Sequence, residues 1–203
     1  LEDAKKTIVA AIDLQPDIAV YHSNYGNMLY HSNDLEFAIQ EHKRAIKLDK
    51  KNFQSYYGLG IIYSHLKNYE KSEENYLKAI SIDSESSVAH NNLANLYNQI
   101  NPNKAEEHYL KVLKLRSDDP MPYINISNYY LKNTKYKKCV SVLEQALDNQ
   151  IKSKELLNNL GIAYLATKDN EKSKMMFEEA LKIDASYKPA LDNLENLKNI
   201  DIS

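Results

Sequence analysis

The fold is decided by the stretch Tyr57-Gly58-Leu59-Gly60-Ile61-Ile62-Tyr63. The same pattern of small, apolar and aromatic residues returns as Asn-Asn-Leu-Ala-Asn-Leu-Tyr at 91–97 and as Asn-Asn-Leu-Gly-Ile-Ala-Tyr at 158–164. Each copy is followed by a second apolar cluster, at 76–80, 109–113 and 177–181. A repeat of about 34 residues predicts a solenoid, in which each unit buries its apolar face only against its neighbours.

The period divides the 203 residues into units that each contain two helical patterns joined by a short polar turn. We expect one continuous array that starts with half a repeat, because Pro16 stops the first helical pattern. Residues 188–203 repeat the first-helix pattern but place Glu195 where a small residue belongs, which is typical of a solubilising cap. The opposite end shows no such cap, so we expect the array to begin further upstream. The predicted boundaries are 1–18 for the half repeat, 19–52, 53–86, 87–119, 120–153 and 154–187 for the full repeats, and 188–203 for the capping helix.

Three sets of positions within the repeat have packing roles. The eighth position is small, which lets the two helices approach closely, and the eleventh is mostly tyrosine. The twentieth and twenty-seventh positions are also small, and Cys139 at one of them is predicted to be a buried substitute for alanine. The eighth position holds Gly26, Gly60, Ala94, Ser127 and Gly161, and the eleventh holds Leu29, Tyr63, Tyr97, Tyr130 and Tyr164. The twentieth and twenty-seventh positions hold the pairs Ala38/Ala45, Ser72/Ala79, Ala105/Val112, Cys139/Ala146 and Ser173/Ala180.

These residues resemble the tetratricopeptide repeat (TPR) family over nearly the whole chain. The resemblance implies an all-α fold, a right-handed superhelical α-solenoid whose concave wall is built from the first helices. The sequence departs from the family at the fourth position, often tryptophan, which holds His22, Tyr56, His90, Tyr123 and Leu157. The third unit is also one residue short near Pro102, so we expect a tighter inner turn there.

Composition excludes several classes of function. The net charge of −2 and the pI of about 6.3 give no basic surface for nucleic acid and no attraction to an anionic membrane. No apolar run approaches the roughly 18 residues of a membrane span. With a single cysteine, no intrachain disulfide can form, which favours a reducing compartment such as the cytoplasm.

The resemblance places ligand contacts at the sixth and ninth positions, among others, and asparagine recurs at both. Because these positions are three apart, both project from one face of a helix. Side-chain amides donate and accept hydrogen bonds, so two rows of them would match the backbone of an extended peptide. The predicted groove residues are Asn24, Asn27, Tyr57, Asn92, Asn95, Asn125, Asn128, Asn159 and Asn193.

Two explanations of this asparagine pattern remain open. Similar asparagine ladders line the repeat arrays of O-linked N-acetylglucosamine transferases, which favours a ligand. Asparagine at the sixth position is also common where no ladder has a role, and it then satisfies neighbouring polar groups. Family members that grip a C-terminal carboxylate use lysine and arginine, whereas Ser23, Asn91 and Glu155 are among the residues found here, so binding of chaperone tails is not expected.

The sequence predicts no enzyme, metal site or cofactor. His31 and His65 share a phase in adjacent repeats, but no third ligand accompanies them. No glycine-rich phosphate loop is present. We therefore expect a non-catalytic scaffold that binds a protein or peptide partner in its concave groove. Two alternatives are the substrate-selecting array of a larger enzyme, such as a glycosyltransferase, and an architectural subunit that packs against another copy of itself within a larger assembly.

Overall fold

The computed structural model describes the backbone of residues 2–201 and the side chains of residues 3–197. Leu1 and residues 202–203, which belong to the predicted first and last segments, lie outside the described part. Within it the chain is entirely helical and contains no strand. The helices are α1 Glu2–Leu14, α2 Ala19–His31, α3 Leu35–Leu48, α4 Phe53–His65, α5 Tyr69–Ile82, α6 Ser87–Ile100, α7 Pro102–Leu115, α8 Pro120–Lys132, α9 Tyr136–Asp148, α10 Lys154–Ala166, α11 Asn170–Ile183 and α12 Lys188–Asp201.

The helices form two compact units, Leu1–His108 and Tyr109–Ser203, and the division falls inside α7. In the first unit each first helix, α2 or α4, packs against the second helix that follows it, α3 or α5. The second unit pairs α8 with α9 and α10 with α11 in the same way. Both units are therefore built from the helix-turn-helix repeat that the sequence predicts. The prediction of one continuous array stays a prediction.

The turns inside the repeats share one backbone conformation. Asn33, Lys67, Thr134 and Lys168 each have φ between 55° and 67°, in the left-handed region, two residues after the first helix ends. The third full repeat differs, because only Asn101, with φ −153°, separates α6 from α7. Because this repeat is one residue shorter, its inner turn lacks the residue with positive φ that the other turns contain. Helix α6 is also one residue longer than α2, α4, α8 and α10.

Capping side chains fix where many of the helices begin. Asn52, Asn68 and Ser86 accept hydrogen bonds from backbone N–H groups three residues further on, at the start of α4, α5 and α6. Ser153 and Asp169 do the same for α10 and α11. Each cap satisfies a donor that has no partner inside its own helix. Local polar residues therefore set the register in which each apolar face meets its neighbour.

A ring from the second helix packs over the small eighth position of the first helix. Tyr76 lies over Gly60 and Phe177 over Gly161, and both rings are almost completely buried. A side chain at the twentieth position closes the same contact, because Ser72 Oγ donates to the Gly60 carbonyl and Ser173 Oγ to the Gly161 carbonyl, each at 2.8 Å. The close approach of the two helices is thus held by shape and by a buried hydrogen bond.

Cys139 takes the serine's place in the fourth full repeat. Its Sγ lies 3.8 Å from the Ser127 carbonyl oxygen, to which the thiol donates, and the residue is fully buried. Burial raises the pKa of this thiol to about 12. The structural role predicted for Cys139 is confirmed, although the residue it imitates is the hydrogen-bonding serine rather than alanine.

In several repeats a polar ring at the fourth position bonds to the preceding loop. Nε2 of His90 lies 3.2 Å from the Ser84 carbonyl oxygen, and Tyr123 Oη donates to the Ser117 carbonyl at the same distance. Each carbonyl lies six residues upstream of its ring. The departure from tryptophan therefore keeps a buried ring that bonds to the turn between repeats.

Two of the eleventh-position tyrosines, Tyr97 and Tyr164, lie between a carboxylate and a lysine. Tyr97 Oη donates to Glu73 at 2.6 Å, and the Lys104 ammonium lies 5.1 Å from the centre of the Tyr97 ring. Tyr164 makes the equivalent bond to Glu144 at 2.6 Å. Burial and the neighbouring carboxylates raise the pKa of both phenols, so they stay neutral donors.

Candidate functional site

The sixth-position amides bond to the preceding repeat. In the first unit, Asn92 Nδ2 on α6 donates to Tyr57 Oη on α4 at 2.9 Å. Burial raises the pKa of the Tyr57 phenol, whose ring stacks on Phe53 with the ring centres 5.8 Å apart. The bond therefore links two neighbouring first helices through neutral groups.

The second unit repeats this link. Asn159 Nδ2 on α10 donates to Ser127 Oγ at 2.9 Å and to Asn128 Oδ1 at 2.8 Å on α8. Asn193 Nδ2 on α12 donates to Asn158 Oδ1 on α10 at 3.0 Å. Asn159 is only 8% exposed. Its amide group is thus largely inside the protein and already has two acceptors.

These bonds favour the packing explanation for much of the sixth-position row. An amide that donates to the neighbouring repeat holds two first helices in register, and this alone is a reason for asparagine to recur. Asn125 is half-buried with interactions of its own, whereas Asn24 is exposed. Ligand binding by this row stays a prediction, and Asn24 is its most accessible member.

The ninth-position row has a different environment. Asn95, Asn128 and Asn196 are exposed and Asn27 is half-buried. Asn95 and Asn27 line pockets in the first unit, whereas Asn128 accepts the bond from Asn159 in the second. The two amide rows are therefore not equivalent: most described sixth-position amides donate to the adjacent first helix, whereas most ninth-position amides are exposed.

Two adjoining pockets lie on the face that α2, α4 and α6 present in the first unit. We call this face, with both pockets, the first-unit groove. One pocket has a volume of about 370 Å³ and the other about 260 Å³, and Tyr30 and Ile61 line both. Every lining residue is uncharged or histidine. The larger is lined by Tyr30, Ile61, Ser64, His65, Tyr76, Asn92, Asn95, Leu96 and Gln99, and the smaller by Asn27, Tyr30, His31, His42, Gln54, Tyr57, Gly58 and Ile61.

Aromatic contacts fix the wall between the two pockets. The Tyr30 ring lies edge-on to His65, with the ring centres 6.0 Å apart, and its centre is 5.5 Å from that of His31. Both histidines are exposed. The pair predicted to share the groove therefore both contact Tyr30. Among the residues that the structure describes, no three His, Cys, Asp or Glu side chains are grouped as metal ligands.

Sequence reasoning missed His42, which forms part of the smaller pocket. The equivalent position in other repeats holds Tyr76, Leu143 or Phe177, so a histidine there breaks an apolar pattern. This break in the apolar pattern is the sequence feature that could have identified His42 as a candidate site residue. His42 is fully buried, and burial lowers its pKa to about 4, so the imidazole is neutral near pH 7.

Comparison with known proteins identifies the repeats. Sequence profiles described as TPR repeat and tetratricopeptide repeat match residues 26–67, 53–86 and 154–187. These segments are tetratricopeptide repeats, and the described part of the chain has the all-α fold class of solved TPR structures, two of which cover 91% and 94% of the chain. Proteins of this class act as scaffolds for protein interactions. No described helix has the length and apolar character needed to cross a membrane.

Two curated relatives match part of the chain. Superkiller protein 3 of Schizosaccharomyces pombe is 39% identical over 62 residues, 30% of this chain and 4% of that protein. A TPR repeat-containing protein of Methanocaldococcus jannaschii is 34% identical over 89 residues, 40% of this chain and 15% of that protein. The matches thus span only a small part of the relatives' length and support the repeat alone.

The fold also matches the crystal structure of YrrB, described as a TPR protein with an unusual peptide-binding site. The TM-score is 0.72 at 20% identity, and the match covers 91% of this chain and 96% of that one. At this identity the likeness shows the fold alone.

Proposed function

We propose that this protein is a non-catalytic interaction module that binds an extended segment of a partner protein in the first-unit groove. The supporting observation is the pair of adjoining pockets, about 370 and 260 Å³, that share Tyr30 and Ile61. A peptide has a side chain on each face of its backbone, so adjacent pockets suit successive anchors of one segment.

The chemistry of the groove favours a peptide backbone over a charged ligand. Amides of Asn27, Gln54 and Gln99 lie beside the pockets and offer both donors and acceptors. Ile61, which is half-buried and lines both pockets, supplies apolar surface between these amides. A charged anchor would lose hydration here without gaining an opposite charge, because the pocket lining contains no lysine, arginine or carboxylate.

The ion pairs lie on other surfaces. Lys104 pairs with Glu73 and Arg44 with Asp17, away from the pocket-lining residues. Exposed pairs of this kind contribute little to affinity or stability. The groove is therefore the part of the first unit where apolar and amide groups are together open to a partner.

A matched pair of substitutions tests this proposal. Ile61→Lys places a charge between the two pockets, whereas Leu77→Lys makes the same change on the exposed face of α5, where Leu77 is 43% exposed. Partners are captured from a native extract with tagged protein and identified by mass spectrometry, and affinities are then measured with the purified partner. We expect Ile61→Lys to weaken binding at least about tenfold and Leu77→Lys to leave it unchanged. Equal binding by both variants would place the interaction elsewhere.

A further inference from the structure

His42 occupies a position that other repeats fill with an apolar or aromatic side chain. Its ring lies between α2 and α4, where a Cβ on Gly26 would be 2.9 Å from Nε2 and a Cβ on Gly58 only 2.6 Å. Two side chains are therefore absent around the Cε1–Nε2 edge of this ring. Gly58 stands at the sixth position, where most other repeats have asparagine.

The Nε2 atom of His42 has no hydrogen-bond partner. Nδ1 lies 3.4 Å from Ser55 Oγ, which accounts for the other ring nitrogen. Among the described residues, Nε2 is the one buried side-chain nitrogen or oxygen without a bond. Leaving such a group unpaired inside the protein is unfavourable, so its retention calls for an explanation.

The smaller pocket of the first-unit groove lies beside this histidine. His42 and Gly58 are among its lining residues, together with Asn27, Gln54 and Tyr57. Glycine at position 58 lets the imidazole lie against the α4 backbone, because a Cβ there would be only 2.6 Å from Nε2. The unpaired nitrogen therefore belongs to a fully buried side chain in the wall of a pocket, within the groove to which we assign peptide binding.

We propose that this pocket is a specificity subsite for a serine or threonine hydroxyl of the bound peptide, with His42 Nε2 as its hydrogen-bond partner. This inference rests on the proposed function. A hydroxyl both donates and accepts, so it matches a neutral imidazole in either tautomer. An apolar side chain would leave Nε2 unpaired, and a charged one would meet no opposite charge. A buried polar group paired with a ligand hydroxyl discriminates against ligands that lack it.

The test starts from a phage library of random nine-residue peptides selected on the wild-type protein. Selected peptides are synthesised with each serine or threonine replaced by alanine, and affinities are measured by calorimetry. His42→Leu is the matched variant, because Leu143 is fully buried at the equivalent position of another repeat. We expect one hydroxyl whose loss weakens binding about fivefold or more to wild type and has no effect on His42→Leu.

Nitrogen-15 NMR of the wild-type imidazole supplies a readout that does not depend on the variant. A saturating peptide should shift the Nε2 signal of His42, and its alanine derivative should shift it less. Peptides that bind both proteins equally, or that leave the Nε2 signal unchanged, overturn the subsite while the proposed groove function stands. Failure to select any peptide that binds the groove overturns the proposed function, and the subsite with it.

Discussion

The ring of Tyr76 lies so close over Gly60 that a Cβ on this glycine would be 2.5 Å from Tyr76 Cδ1. Phe177 and Gly161 have the same relationship, with 2.5 Å from such a Cβ to Phe177 Cε1. The small residue and the ring are thus one packing device, repeated along the chain. It shows why glycine persists inside helices, where it costs about 1 kcal/mol relative to alanine.

Gly60→Ala is therefore expected to destabilise the protein by about 1–2 kcal/mol, since the displaced Tyr76 ring outweighs the gain in helix propensity. Urea unfolding followed by circular dichroism measures the change. Tyr76→Leu should rescue it, because another repeat has a fully buried Leu143 at the position equivalent to Tyr76 and Ser127, a residue with a Cβ, at the position equivalent to Gly60. The cost of Gly60→Ala should then fall below about 0.5 kcal/mol in the Tyr76→Leu background. An equal cost in both backgrounds would show that the ring is not the obstacle.

Much of the fold can be predicted from the sequence because similar residue types recur at each packing position in successive repeats. The roles of the eighth and eleventh positions were predictable from Gly60 and Tyr63, since small and aromatic residues recur in phase. The candidate site was less predictable. The spacing of Asn92 and Asn95 in the repeat places both on the same face of α6. Only the structure shows that Asn92 donates a hydrogen bond to Tyr57 on the neighbouring helix. The spacing of residues in a repeat does not indicate which side chain of another repeat will be the hydrogen-bond partner.

Cys139 should resist modification in the folded protein. Its thiol is fully buried and its pKa is raised to about 12, so hardly any thiolate forms near pH 8. We expect Ellman's reagent to react with Cys139 only as fast as the protein unfolds. A Cys139→Ser variant with an exposed Ser81→Cys substitution should react within minutes under the same conditions. Rapid reaction of native Cys139 would contradict the buried role.

His42 should make stability depend on pH. Its folded pKa of about 4 lies below the ordinary value of 6.5, so the unfolded chain takes up the proton first. The stabilisation is complete above pH 6.5 and is lost as the pH falls from there toward 4, by about 3 kcal/mol in all. The His42→Leu variant has no imidazole to protonate. Its free energy of unfolding should therefore fall by about 3 kcal/mol less than that of the wild type over the same pH range. Urea titrations at pH 7, 5.5 and 4.5 compare the two proteins. Parallel pH profiles would mean that folding leaves the pKa of His42 unchanged.

The bond from Asn92 to Tyr57 decides between packing and ligand binding at the sixth position. Asn92→Ala and Tyr57→Phe each remove one partner of a bond 2.9 Å long, and each should cost about 1 kcal/mol in urea unfolding. If the groups serve each other, the double variant should cost less than the sum by about 0.5–1.5 kcal/mol. Asn24→Ala is the control, because Asn24 is exposed at the same phase and should leave stability within about 0.5 kcal/mol. If each single variant is as stable as the wild type and the double variant shows no coupling, Asn92 does not contribute to packing. The ligand-binding prediction for Asn92 would then stand. A coupled loss instead means that Asn92 contributes to packing between neighbouring first helices through its bond to Tyr57.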